Sequence, residues 1–152
     1  MTQKKIKTAN AEITARIFGS FDRNARRLEE AFGIHIYNRP DEGGEGDCIV
    51  LEGEEAAVAR AAEATEYLRR VAALGEEPND QRVDYVIRMV NDGATDELAA
   101  LDDDCFLVTA RGKPVKAKTV GQKKYVDAIR KNTIVICTGP AGTGKTYLAV
   151  AM

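Results

Sequence analysis

The sequence has little of several residue types on which common classes of site depend. Its 152 residues include one histidine, no tryptophan and three cysteines. The cysteines lie far apart and form no C-x-x-C pair, so neither a disulfide framework nor a zinc site is indicated. No apolar run approaches the roughly 18 residues that a membrane span requires. The basic start of the chain is not followed by an apolar stretch, so we expect no secretory signal, no membrane partner and a cytoplasmic location.

Charge is unevenly distributed along the chain, although the net charge is only −2. Residues 1–40 hold eight Lys/Arg and four Asp/Glu, residues 41–110 hold five and nineteen, and residues 111–152 hold nine and one. The three segments therefore carry net charges of +4, −14 and +8. The basic final segment suits a polyanionic ligand, whereas the acidic middle segment is interpreted as a solvated surface.

Hydrophobic periodicity predicts a small α+β module over residues 12–75, after a basic extension at residues 1–11. Residues 12–18 alternate between apolar and polar side chains and are predicted as a strand. Asp22 is expected to cap a helix that ends at Gly33. The remaining elements of this module are strands at residues 34–38 and 48–51, a glycine-rich hairpin loop at residues 39–46 and a long helix at residues 54–74.

The polar break at residues 75–80 is the predicted boundary, followed by a helical linker region over residues 76–104 and a second domain at residues 105–152. The predicted elements are helices at 81–91, 96–101 and 122–130, strands at 106–109, 114–118 and 133–138, and a helix from Lys145. The run Thr133-Ile-Val-Ile-Cys-Thr138 is typical of a strand buried on both faces of a parallel sheet. The acidic run at residues 102–104 is interpreted as a loop.

Directly after this run the sequence matches the pattern G-x-x-x-x-G-K-[ST]. This pattern is a P-loop, or Walker A motif, in which backbone amides and the lysine bind the phosphates of a nucleoside triphosphate and the hydroxyl coordinates Mg²⁺. We expect ATP and Mg²⁺ as cofactors, with Thr146 as the metal ligand. The residues expected to bind the nucleotide are Gly139, Pro140, Ala141, Gly142, Thr143, Gly144, Lys145 and Thr146.

The segment Lys118-Thr-Val-Gly-Gln-Lys-Lys-Tyr-Val-Asp-Ala-Ile129, the apolar run and the P-loop together resemble the PhoH-like ATPases. The resemblance implies an α/β fold in which a small KH-like α+β module precedes a P-loop domain similar to the core of superfamily-one helicases. It also implies that Gln122 hydrogen-bonds the adenine edge, that the protein is linked to RNA metabolism, and that the ATPase domain forms a homo-oligomer. Tyr125, one turn after Gln122, is expected to pack in the core.

A KH fold grips single-stranded RNA through a G-x-x-G loop. The corresponding stretch here, Gly19-Ser-Phe-Asp22, has aspartate in place of the second glycine. A basic face that could still contact phosphates is formed by Arg16, Arg23, Arg26 and Arg27. A solvated helix face on a docking domain explains the same arginines equally well.

Only six residues follow Thr146, too few for a crossover to the next parallel strand and its Mg²⁺-binding carboxylate. We therefore expect the N-terminal part of a longer ATPase, truncated after the first strand, loop and helix of its P-loop domain, with no steady-state hydrolysis of its own. No catalytic residue is assigned. Two alternatives remain open, a P-loop phosphotransferase and a non-enzymatic RNA-binding or docking module.

Overall fold

The computed structural model describes residues 1–40, 46–99, 101, 105–109 and 114–152. They form two compact units, Met1–Thr95 and Asp96–Met152. Both units combine helices with antiparallel strands, so the fold is mixed α/β. None of the helices in this part of the chain has the length and apolar character needed to cross a lipid bilayer.

The first unit contains a three-stranded antiparallel sheet. Its strands are β1 (Thr2–Thr8), β2 (His35–Pro40) and β3 (Asp47–Gly53), with β3 in the centre. Ile6 pairs with Ile49 and Ile36 with Leu51, so these side chains share one face of the sheet. All four are buried. The hydroxyl of Thr8, at the end of β1, lies 2.6 Å from that of Thr14 in the first helix, so this face turns towards the helices.

Four helices complete the first unit: α1 (Ala11–Phe18), α2 (Arg23–Phe32), α3 (Glu55–Ala73) and α4 (Asp80–Asn91). Helix α3 contacts β1, β3, α1, α2 and α4, and is the central element of the core. It presents an inward apolar stripe to the core, in which the following residues are all buried: Val58, Ala61, Leu68 and Val71. Helix α4 lies in the segment predicted as a linker region, and it packs on α2 and α3 through a buried valine stripe of Val83, Val86 and Val90.

The strand predicted at residues 12–18 is wrong, because these residues form helix α1. The Asn10 side chain caps this helix by accepting a hydrogen bond of 2.9 Å from the Ile13 amide. Thr14 and Ile17, three residues apart, are its buried positions. The strand is instead formed by β1, within the segment predicted as a basic extension. Only Ile6 and Thr8 of β1 are buried, so this edge strand has almost no apolar alternation from which it could be predicted.

The predicted cap at Asp22 is also wrong. Asp22 has a left-handed backbone conformation, with φ 58°, and its side chain makes no capping hydrogen bond. It ends a short 3₁₀ turn, Ser20–Asp22, that joins α1 to α2. The predicted stop at Gly33 is confirmed, since its φ is +67° and its amide donates to the Glu29 carbonyl over 2.8 Å.

The second unit contains an antiparallel hairpin and two helices, preceded by α5 (Thr95–Ala99) at the boundary between the units. The hairpin strands are β4 (Cys105–Val108) and β5 (Pro114–Lys116), as predicted, and the helices are α6 (Val120–Lys131) and α7 (Lys145–Ala151). Val115, Val126 and Leu148 form a small buried cluster in this unit. The glycine-rich loop predicted at residues 39–46 begins too early, because Arg39 and Pro40 belong to β2. Residues 41–45 of that loop, and the loop predicted at residues 102–104, lie outside the described residues.

The strand predicted at residues 133–138 is not formed. This segment has no strand partner among the residues that the structure describes. Ile134 and Ile136 are 83% and 88% exposed, although the prediction buried them on both faces of a sheet. A β-strand is defined by hydrogen bonds to a neighbouring strand, so β-branched composition alone does not produce one.

Candidate functional site

A glycine-rich loop, residues 139–146, leads from the exposed apolar segment into helix α7. Gly142 and Gly144 have φ values of +75° and +83°, a backbone conformation that residues with a Cβ atom rarely adopt. Gly144 is also the N-cap of α7 and offers no side chain to its first amides. The amides at the start of α7 therefore remain available to an acceptor that is not a capping side chain.

The ammonium group of Lys145 lies inside the bend of this loop. Its Nζ donates to the carbonyl oxygens of Gly139 and Pro140 over 2.8 and 2.6 Å. The Thr143 hydroxyl donates to the same Pro140 carbonyl over 3.0 Å. A full positive charge is thus held by backbone carbonyls within a turn of seven residues, and no carboxylate pairs with it among the ion pairs described for this unit.

Helix α7 is anchored on one side only. Leu148 is buried against the cluster that includes Val126, while Thr146, Tyr147 and Val150 are exposed. The Thr146 hydroxyl therefore lies at the solvent-facing start of the helix. No group of three or more histidine, cysteine, aspartate or glutamate residues suited to a metal occurs in the described part of the chain.

Gln122, at the start of α6, is brought into contact with the glycine-rich loop. Its Nε2 donates to the Thr143 carbonyl over 3.1 Å, across 21 positions of sequence. Its Oε1 accepts a hydrogen bond of 2.7 Å from the Lys118 amide. The Thr119 hydroxyl caps α6 by accepting from the Gln122 amide over 3.2 Å. The structure therefore joins two sequence-predicted features, the glutamine and the loop, in one unit.

The sequence contained a signal for part of this arrangement that the prediction missed. The spacing Thr119-Val-Gly-Gln122 matches a capping box, in which the first side chain caps the helix and the glutamine side chain accepts from the backbone amide of that capping residue. Here the glutamine reaches the Lys118 amide, one residue before the cap. This return fixes the orientation of the carboxamide, so that its Nε2 faces the loop.

Tyr125 packs against the buried cluster of the second unit, together with Phe106 and Ala151. The expectation that its ring serves packing is confirmed. Arg130 of the same helix lies over the ring of Phe106, with its guanidinium carbon 5.3 Å from the ring centroid. Helix α6 therefore carries both a packing face and, at its first turn, the contact to the loop.

The four arginines predicted as a basic face lie in the first unit, and three of them are already paired within the chain. Arg23 and Arg27 both pair with Asp80 of α4, over 2.8 and 3.2 Å, and Arg27 also pairs with Asp84. Arg16 pairs with Glu12. Arg26 is exposed beside an open groove of about 480 Å³ that is also lined by Phe18, Tyr37 and Asn38. The basic face is thus largely neutralised by neighbouring carboxylates.

Comparison with known proteins gives a consistent result. A family model described as PhoH-like protein matches residues 114–152. PhoH-like proteins of Mycobacterium tuberculosis, Mycobacterium leprae and Bacillus subtilis are 36%, 39% and 30% identical to the chain, over 92%, 92% and 95% of its length. The alignments cover 38%, 38% and 43% of those relatives, so the chain spans about two fifths of their length. No solved structure gives a significant match. The chain is therefore similar to PhoH-like proteins over more than nine tenths of its own length.

Proposed function

We propose that residues 139–146 are a Walker A P-loop that binds the phosphate chain of ATP. The observation that carries this proposal is the loop itself, a glycine-rich turn at positive φ that encloses the ammonium group of Lys145. Such turns offer converging backbone amides to an anion without side chains in the way. Similarity to PhoH-like proteins, which includes the P-loop segment, favours the same function over a phosphotransferase.

In this proposal Lys145 exchanges its bonds to the Gly139 and Pro140 carbonyls for bonds to the β- and γ-phosphates. The exposed Thr146 hydroxyl would supply one oxygen ligand to Mg²⁺. Magnesium is commonly held by one or two protein oxygens together with phosphate oxygens and water, so the lack of a carboxylate cluster in the described residues is compatible with a nucleotide-bound ion. The ion would neutralise the phosphate charge.

We further propose that Gln122 recognises the adenine edge. One primary amide can both donate and accept, which matches the acceptor N7 and the donor N6 amino group of adenine. Its position at the loop, 3.1 Å from the Thr143 carbonyl, supports a role in the same ligand site. Wild-type protein is expected to bind ATP more tightly than GTP, and equal affinities in a competition titration would count against adenine recognition.

The central test is a titration of Mg·ATP into the wild type and the Lys145→Ala variant by calorimetry. A hydrogen bond to a charged group contributes roughly 1.5–3 kcal/mol, so the variant is expected to bind about tenfold to a hundredfold more weakly. Lys131→Ala removes an equal charge from the exposed end of α6 and is expected to bind like the wild type. Equal affinity in all three proteins would refute the assignment of the loop.

For a PhoH-like protein that contains this segment, we propose that the bound ATP is hydrolysed and that hydrolysis is linked to RNA. Stimulation by single-stranded RNA of ATP turnover in such a protein is the corresponding assay. Transfer of the phosphate to a small acceptor molecule, in place of its release by hydrolysis, would identify a phosphotransferase. The same assay therefore separates the two enzymatic interpretations.

A second candidate function, binding of single-stranded RNA by a KH-like first unit, is supported by one specific observation. Phe21 is 95% exposed and has φ 55° in the turn that joins α1 to α2. Strained backbone and an exposed aromatic ring are both more frequent at binding sites than elsewhere. Aromatic rings contribute roughly 1–3 kcal/mol per stacked base.

We expect Phe21→Ala to weaken binding of a short uridine homopolymer about fivefold to a hundredfold. Fluorescence anisotropy of the labelled oligonucleotide measures this change. Leu74→Ala removes another exposed apolar side chain of the same unit and serves as the control. Equal binding by both variants would refute the role of Phe21, and absence of binding by the wild type would instead favour a docking module.

A further inference from the structure

The side-chain amide of Gln122 makes hydrogen bonds within the chain through both its oxygen and its nitrogen. Its Oε1 accepts from the Lys118 amide over 2.7 Å, and its Nε2 donates to the Thr143 carbonyl over 3.1 Å. The first bond belongs to the start of helix α6, where Thr119 is the cap. The second bond leaves the helix and reaches the glycine-rich loop.

The Thr143 carbonyl, which Gln122 contacts, lies directly before the residue at which the loop turns into α7. Because a trans peptide is planar, fixing the Thr143 oxygen also fixes the Gly144 amide, which points the opposite way. Gly144 is the left-handed residue at which the loop turns into α7, and Lys145 follows it. A Cβ atom on Gly144 would lie 3.3 Å from the Gln122 Nε2, so the glutamine packs directly against this turn.

The same amide retains capacity for a ligand. A primary amide has two N–H donors and an oxygen with two lone pairs, and each atom makes one hydrogen bond here. Gln122 can therefore hold the loop and hydrogen-bond a base at the same time. Only the second role requires a ligand that contains a base. The two roles predict different behaviour towards a polyphosphate that has no nucleoside.

We propose that Gln122 is a positioning residue for the glycine-rich loop, which it holds in the conformation that accepts phosphates irrespective of the base. This inference rests on the proposed phosphate-binding function of the loop. It assigns to Gln122 an effect on every ligand that carries the phosphate chain. A residue that only reads adenine would affect ATP alone.

The test compares binding of Mg·tripolyphosphate and Mg·ATP to wild-type and Gln122→Met protein by calorimetry. Methionine has nearly the shape of glutamine and no charge, so it removes both hydrogen bonds without repelling phosphate. From the net contribution of a typical hydrogen bond, we expect tripolyphosphate affinity to fall about threefold to tenfold and ATP affinity to fall at least as much. A loss confined to ATP would overturn the proposal.

Nuclear magnetic resonance of the ligand-free proteins provides a second readout. Amide order parameters at Thr143 and Gly144 are expected to fall in Gln122→Met, towards the values of about 0.6 or below that mark flexible backbone. The matched control is Asn132→Leu, which removes a side-chain amide at the other end of α6 that donates to the Ala128 carbonyl over 2.9 Å. Unchanged order parameters in Gln122→Met would contradict a positioning role.

The two readouts separate failure of this proposal from failure of the proposed function. If the wild type binds neither ligand, the assignment of the loop as a phosphate site is wrong, and the order parameters still decide whether Gln122 positions it. If the wild type binds both ligands and Gln122→Met retains tripolyphosphate affinity, only the positioning role is wrong. If Gln122→Met binds both ligands more weakly and Asn132→Leu binds them like the wild type, the proposed function and the positioning role are both supported.

Discussion

Two adjacent residues, Phe21 and Asp22, have left-handed backbone conformations that glycine would adopt with less strain. For residues with a Cβ atom this conformation costs roughly 1–2 kcal/mol. The Phe21 ring is 95% exposed and recovers little of this cost by burial. Strain of this kind persists where the surrounding structure imposes it, and it is more frequent at binding sites.

Phe21→Gly is therefore expected to raise the free energy of unfolding of the first unit by about 1 kcal/mol. Urea denaturation followed by circular dichroism measures this change. If Phe21 stacks on RNA, the more stable variant also loses RNA affinity, a trade that binding residues often show. A variant less stable than the wild type would indicate that the ring makes a stabilising contact.

Predictability at the residue scale depended on how far apart in sequence the interacting groups lie. The loop residues Gly144, Lys145 and Thr146 are contiguous, and their pattern could be recognised directly. The contact between Gln122 and the Thr143 carbonyl spans 21 positions, and only the fold brings the two together. The pairing of Arg23 and Arg27 with Asp80 spans more than 50 positions and could not be predicted from local charge.

At the scale of elements, the first unit is organised around helix α3. Leu68 of this helix is fully buried, and α3 contacts both the sheet and three other helices. The ion pairs between α2 and α4 contribute less, because exposed pairs contribute about 0–1 kcal/mol each. Apolar burial along α3, rather than surface charge, therefore stabilises the unit.

Leu68→Ala is expected to lower the free energy of unfolding of the first unit by about 2–5 kcal/mol, because it leaves a cavity in the core. Leu74→Ala, just beyond the end of α3 and 59% exposed, is the control and is expected to change stability by no more than about 0.5 kcal/mol. Chemical denaturation of both variants measures the difference. Similar values for the two would mean that α3 is not the centre of the core.

Elements with a continuous apolar stripe were predictable, and elements at an edge were not. The long helix at residues 54–74 and the strand at residues 48–51 were confirmed because each buries an apolar face. Residues 12–18 were predicted as a strand because three apolar side chains occur at alternate positions. The Asn10 cap instead starts a helix there. The apolar run at residues 133–138 has strand composition but no neighbouring strand among the described residues.

At the scale of the whole molecule, the chain divides into two units of different character. Most of the buried side chains belong to the first unit, and the second unit has a small cluster around Val115, Val126 and Leu148. The second unit contains the glycine-rich loop, in the segment of residues 111–152 with net charge +8. A ligand that binds only its folded form would stabilise this unit in proportion to the logarithm of ligand concentration.

The most direct test of the central claim is amide hydrogen exchange of the chain with and without saturating Mg·ATP, read by mass spectrometry. If the glycine-rich loop clasps the phosphates, exchange slows at residues 139–147 in the wild type and remains fast there in Lys145→Ala at the same nucleotide concentration. Bound nucleotide that protects only other segments, or no protection at any concentration of ATP, would contradict the account.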